Sequence, residues 1–293
     1  MSAIKPQYKA ELEKRNIPYE EKQHTETLIL NADEVIKSPG IPEKAPIIKA
    51  LRAQNTPIIS EIEFAGRYTK AKTICITGSN GKTTTTMLTY HILCEAGYKV
   101  GLAGNVGKSF AWQVAEQEFD YYVIELSSFQ LDGMYDFRAD VAVLMNITPD
   151  HLDRYDYSFE KYAASKMRIV QNQHSLNYFV YSADDEAIAR QIALHPEMRQ
   201  RQLPFAARTA IASAAGDGFY AGEEFTARVG DKELTIDCKR MKIKGLHNAY
   251  NAMAASLAAL AAGVEPAVVE SSIYDFTPVE HRLEPAGERD GVE

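Results

Sequence analysis

The sequence predicts an α/β protein with a mostly parallel sheet and a small antiparallel part. From Lys72 onward, short β-branched runs alternate with helical patterns, the rhythm of βαβ units. A glycine turn, Gly78-Ser79-Asn80-Gly81, joins the first of these runs to the first of these helices. Farther on, residues 205–237 are rich in Gly, Ala and Thr and alternate like strands, with no helix between them. That pattern suits antiparallel hairpins.

In chain order, residues 1–70 hold two or three helices and a strand-to-turn segment at 35–40 (VIKSPG), thin for a self-contained domain. Residues 73–77 (TICIT) form a buried strand, and 83–96 form a helix stopped by Gly97. Strands follow at 100–103, 121–126 (YYVIEL) and 141–146 (VAVLMN), then a helix at 159–171 and a strand at 178–182. An alanine-rich helix at 248–262 is closed by Gly263, the usual residue past a helix end. Residues 281–293 look like a hairpin interrupted in its second strand, with a turn at Asp290-Gly291. Both ends are therefore expected to be truncated, and the domains are expected at 1–68, 69–281 and 282–293.

The bulk numbers exclude several classes. The 293 residues are 45% hydrophobic and 25% charged, the balance of a globular protein. No apolar run approaches the roughly 18–20 residues of a membrane span, and the charged start MSAIKPQYKAELEKR lacks a signal-peptide core. Without export, the sequon Asn146-Ile147-Thr148 is a coincidence. The net charge of −8 speaks against a nucleic-acid surface, but not against a local anion site built from backbone amides. Cys75, Cys94 and Cys238 form no CxxC pair, so they are expected to be reduced core residues in a cytoplasmic protein.

The chemistry concentrates in a few segments. TGSNGKTTTT, residues 77–86, lies between strand and helix, where a phosphate loop belongs. It departs from G-x-x-x-x-G-K-[ST], because Ile76 stands where the first glycine would be. Gly78, Ser79, Asn80 and Gly81 can turn amides toward an anion, and the helix that follows adds its positive end. Lys82 supplies a cation for phosphates, Thr83 a hydroxyl for Mg²⁺, and Thr84 continues the helix start. Glu125, at the tip of a strand, could hold a metal or simply be exposed. His151, flanked by Asp150 and Asp153, sits on a loop at the same edge. Lys166, among Ala163, Ala164 and Met167, could be desolvated and reactive. By residue type alone, a lysine snorkelling to solvent is the favoured reading. Asn248 and Asn251, spaced i,i+3, share a helix face; they could bind a nucleotide, or Asn248 could be the N-cap. Arg282 could clamp a phosphate or pair on the surface.

Together these segments resemble the Mur ligases of peptidoglycan synthesis, whose loop reads T-G-[ST]-N-G-K-[ST]-[ST]. The resemblance extends to S38-P-G-I-P42, G104-N-V-G107, E125-L-S-S-F-Q-L131, T148-P-D-H-L-D-R-Y155, A-S-K-M-R-I, L246-H-N-A-Y-N251 and E280-H-R282, in order along most of the chain. It implies an ATP- and Mg²⁺-dependent ligase that joins D-glutamate to UDP-N-acetylmuramoyl-L-alanine through an acyl phosphate. A monomer is expected. Carried over by position, Lys82, His151 and Lys166 would be catalytic. Gly78 to Thr84, Asn248, Asn251 and Arg282 would hold the nucleotide. Thr83, Glu125, His151 and a carbamylated Lys166 would serve the metal. Ser38, Pro39, Gly40, Asn105, Ser127 and His151 would contact the uridine-linked substrate. The same resemblance makes the first 68 residues part of a Rossmann-like domain. By the same resemblance, a third domain that closes over ATP and supplies much of the D-glutamate site is expected to be missing, so this chain alone is expected to show little or no ligase activity. A nucleotide-binding fragment without chemistry is the alternative. A sister ligase, such as a folylpolyglutamate synthetase or one adding lysine or diaminopimelate, is another, against which SSFQLD and SPGIP speak.

Overall fold

The computed structural model describes residues 3–207 and 217–277. The chain divides into two compact units, Met1–Ile59 and Ser60–Glu293. In the first, helices α1 (Pro6–Lys14), α2 (Glu26–Leu30) and α3 (Pro46–Ala53) accompany two short strands, β1 (Val35–Ile36) and β2 (Ile58–Ile59). The strands pair in parallel. Ile48, Leu51 and Ile58 form the unit's small core, with Ile29, Leu30 and Val35 packed against it.

The second unit runs α4 (Glu61–Gly66), β3 (Lys72–Thr77), α5 (Lys82–Glu95), β4 (Val100–Gly104), α6 (Phe110–Glu116), β5 (Tyr121–Glu125), α7 (Ser128–Leu131) and β6 (Val141–Leu144). It continues through α8 (Phe159–Met167), β7 (Tyr178–Ser182), α9 (Glu186–Ala193), β8 (Arg201–Ala206), β9 (Gly218–Ala221), β10 (Glu224–Val229) and β11 (Lys232–Asp237). It ends in α10 (Leu246–Ala261) and α11 (Pro266–Asp275). All nine strands form one sheet in the order β11-β10-β9-β8-β7-β6-β3-β5-β4.

From β4 to β9 every pairing is parallel, and only β9-β10-β11 is antiparallel. The expected parallel sheet with an antiparallel part is therefore what forms, as one continuous sheet. The central strands β3, β5 and β6 are buried on both faces because helices cover both. Ile74, Ile76, Val123 and Val143 face the core under α5, α10 and α11. Their neighbours Cys75, Tyr122, Ile124 and Leu144 face the opposite layer with α4, α6 and α8. Alanines at 252, 254, 255, 258 and 259 are buried in α10 and let that helix lie close on the sheet.

Two elements differ from expectation. The helix at 159–171 ends at Met167 and finishes as a 3₁₀ turn, Arg168–Val170. Phe205 belongs to the parallel strand β8, not to a hairpin. β8 and α9 had no clear sequence signal, since RQLPFA carries two polar residues and a proline. Pro204 is tolerated because the Arg201 N–H and the Phe205 carbonyl bond on the β7 side. Its missing N–H points the other way, where pairing with β9 begins only at Phe205. Among the described residues, no helix is long and apolar enough to cross a membrane.

Candidate functional site

Strand order brings the carboxyl ends of β3, β5 and β6 side by side, the edge where open α/β sheets bind ligands. β3 ends at Thr77 and turns through Gly78–Gly81 into α5. Gly81 stands at φ 82°, and a Cβ there would lie 2.5 Å from Asn251 Oδ1, so both backbone and space require glycine. As the N-cap residue it has no side chain to cap α5. The first-turn amides, those of Thr83 and Thr84 among them, are thus left to face an anion. Lys82 Nζ folds back to donate to the carbonyls of Gly78 (2.8 Å) and Ser79 (3.0 Å).

Lys166 is buried, at 2% exposure, on the inward face of α8 with Tyr162, Ala163 and Met167. The snorkelling reading is therefore wrong: the face that carries Lys166 packs against the sheet. Its Nζ donates to the Gly78 carbonyl at 2.8 Å and to Thr77 Oγ1 at 3.3 Å. Thr77 in turn donates to the Leu126 carbonyl at 2.7 Å. Both lysines thus share the Gly78 carbonyl. Burial, and then the nearby Lys82 charge, bring the Lys166 pKa down to about 7, against the opposing pull of Asp150, Glu125 and Asp132.

Glu125 ends β5 and is 1% exposed, so the surface alternative fails for it as well. Its Oε1 accepts from Asn105 Nδ2 at 2.9 Å, and the Asn105 N–H binds the Glu125 carbonyl at 2.9 Å. Oε2 is buried without a hydrogen-bond partner. An orphaned carboxylate oxygen is costly unless a donor or cation completes it, so the site fits a hard cation that keeps most of its waters. Among the described residues, no group of three or more His, Cys, Asp and Glu side chains could hold a metal.

The other sequence candidates are more scattered. His151 has φ 48° and is 61% exposed, its Nε2 3.6 Å from Asp150 Oδ2 and its ring against Phe129. It stays at the rim, apart from the buried group. Ser127 serves as the N-cap of α7 in a capping box with Gln130. Asn248 is not an N-cap; Gly245 is. Asn248 and Asn251 do share a face, but they bond along it: Asn251 Nδ2 to Asn248 Oδ1 at 3.0 Å, and Asn248 Nδ2 to the Lys244 carbonyl at 2.8 Å. Asn251 Oδ1 accepts from Thr85 Oγ1 at 3.3 Å. Ser38, Pro39 and Gly40 form the turn after β1 in the first unit, where the Ile41 N–H binds the Ser38 carbonyl. Arg282 lies outside the described residues.

Sequence reasoning missed Asn146 and Tyr162. Asn146 reaches the loop from the end of β6, and the Tyr162 hydroxyl lies 2.9 Å from Ser79 Oγ. The only sequence hint was an asparagine closing the apolar run VAVLM.

The Mur ligase middle domain matches residues 76–259. The UDP-N-acetylmuramoylalanine–D-glutamate ligase of Bacteroides fragilis is 53% identical over 293 residues, covering 100% of this chain and 65% of that protein. The protein of the same name from Porphyromonas gingivalis is 53% identical over 99% of this chain and 64% of its own length. The chain thus spans about 65% of the first of these relatives. A murein peptide ligase from Psychrobacter arcticus shares the fold at TM-score 0.63 and 19% identity, over 98% of this chain and 64% of that one. The matched span holds the glycine turn, the strand-end carboxylate and the buried lysine, and the identity extends across the flanking residues too: this chain belongs to the Mur ligase family.

Proposed function

We propose that this chain binds Mg·ATP at the Gly78–Gly81 loop and serves an ATP-dependent ligation of D-glutamate to UDP-N-acetylmuramoyl-L-alanine. The observation that carries the reading is the convergence of Lys82, Lys166 and the orphaned Glu125 oxygen on the end of β3. The relatives' printed name supplies the substrates.

In this reading Lys82 leaves the Gly78 and Ser79 carbonyls and swings to the β/γ-phosphates. The first-turn amides of α5 hold the phosphate oxygens. The substrate carboxylate attacks the γ-phosphorus, the bond to the β-bridging oxygen breaks, and an acyl phosphate and ADP result. The amine of D-glutamate then adds to the acyl carbon, the carbon–oxygen bond to phosphate breaks, and the amine's proton leaves with the phosphate. Such transfers depend mainly on positioning and charge neutralisation. Glu125, with the Thr83 hydroxyl, would hold Mg²⁺, which neutralises phosphate charge. Lys166, with a pKa near 7, is available as the free amine to add CO₂, giving a carbamate and releasing a proton; that converts a cation into a second anionic support. His151 would act at the rim. Asn105 and Ser127 stay assigned to the uridine-linked substrate, and Asn248, Asn251 and Arg282 to the nucleotide.

Calorimetry with a non-hydrolysable ATP analogue and Mg²⁺ tests the reading. The chain is expected to bind, and Lys82→Ala to weaken binding by about 10²-fold, the worth of a charge-assisted contact to phosphate. An unchanged Kd in Lys82→Ala would remove the loop from the proposal.

A further inference from the structure

Asn146 commits its whole side chain to the glycine loop. Its Oδ1 accepts from the Ser79 N–H at 3.0 Å and the Asn80 N–H at 2.8 Å, while its Nδ2 donates to the Asn80 carbonyl at 3.0 Å. The Asn146 carbonyl also accepts from the Ser79 N–H at 3.0 Å. Two residues on, the Thr148 N–H donates to Ser79 Oγ at 2.9 Å, and that hydroxyl reaches the Thr148 carbonyl at 2.9 Å. The middle of the loop is therefore stapled to the strand-end segment 146–148 by the chain's own groups.

A loop that grips phosphate through its backbone must keep its N–H groups free. Here the Ser79 and Asn80 N–H groups are already taken. The uncapped first turn of α5 is not. A carboxamide is suited to the task because it can accept two amides and donate to a carbonyl at once.

We propose that Asn146 is a positioning residue that pre-folds the loop and confines phosphate contacts to the amides from Gly81 onward. This rests on the nucleotide reading above, and it removes the Ser79 and Asn80 amides from the anion site that the sequence suggested. The ordering of the loop is complete before binding, so the nucleotide does not have to supply it.

Residue-resolved amide exchange on the chain, with and without Mg²⁺ and the ATP analogue, tests the proposal. In the ligand-free wild type, the Ser79 and Asn80 amides are expected to be protected and to gain little from the analogue. The amides of Thr83 and Thr84 should gain protection when it is added. Asn146→Ala should lose protection at 80, whose acceptor is the side chain, far more than at 79, whose N–H keeps the residue-146 carbonyl, and should weaken analogue binding by about tenfold or more. Asn146→Asp, which keeps the acceptor, should retain that protection. The proposal is overturned if the Ser79 and Asn80 amides exchange freely without ligand and become protected on binding. It is equally overturned if Asn146→Ala leaves the exchange pattern unchanged or binds as tightly as the wild type. A wild type that binds no analogue would sink the nucleotide reading and, with it, the confinement of phosphate contacts. Protection lost only in Asn146→Ala would still establish the clamp.

Discussion

Lys166→Met is expected to be more stable than the wild type at neutral pH, by about 1–3 kcal/mol, while losing any activity that depends on the lysine. Replacing a buried charge by an apolar side chain of similar length is often stabilising by that amount, and Lys166 is 2% exposed with Lys82 beside it. The pH dependence follows from the lowered pKa. Between about 7 and the ordinary value of 10.5 the unfolded chain binds more protons at this position than the folded one, so wild-type stability rises with pH across that window. Below pH 7 the penalty is complete. The advantage of the methionine variant should therefore be largest at pH 6–7 and shrink toward pH 10. Urea unfolding of both proteins in carbonate-free buffer at several pH values measures it. A wild type more stable than the variant at pH 7 would show that the hydrogen bonds to Gly78 and Thr77 outweigh burial. In bicarbonate, ¹³C NMR should reveal a carbamate signal that grows as pH rises through 7 and is missing from Lys166→Met.

Gly104→Ala should destabilise the chain by about 3 kcal/mol, from left-handed strain plus overpacking. Gly104 ends β4 at φ 93°, and a Cβ there would lie 2.1 Å from the Glu125 carbonyl oxygen. The clash is with backbone, which cannot rotate away. Relief requires β4 to separate from β5, and that breaks the Asn105–Glu125 contacts. Mg²⁺-dependent nucleotide binding should therefore fall with stability. Gly97→Ala is the control: its φ is 85°, but nothing lies within 4 Å, so only strain of about 1–2 kcal/mol is expected. Equal urea midpoints for the two variants would refute the argument from close approach.

The βαβ rhythm and the strand–turn–helix around Gly78–Gly81 were legible in the chain itself, because each is a contiguous pattern and its neighbours confirm it. So was the placement of Glu125 and His151 at one sheet edge, since parallel strands present their carboxyl ends together. Burial was not legible. Lys166 resembles any helical lysine until α8 is packed with that face against β3, and Glu125 resembles an exposed strand end until Asn105 covers it. The Asn146 staple and the Tyr162 contact join residues 66 and 83 positions from their partners. Local sequence carries no record of such distances. β8 was invisible for the same reason: its strand state comes from β7 and β9, not from RQLPFA. The sequence by itself thus determined the elements and the kinds of side chain offered at the edge. Only the tertiary structure decided which were desolvated, which amides were already used, and which carboxylate oxygen was left without a partner, because those properties belong to what surrounds a residue.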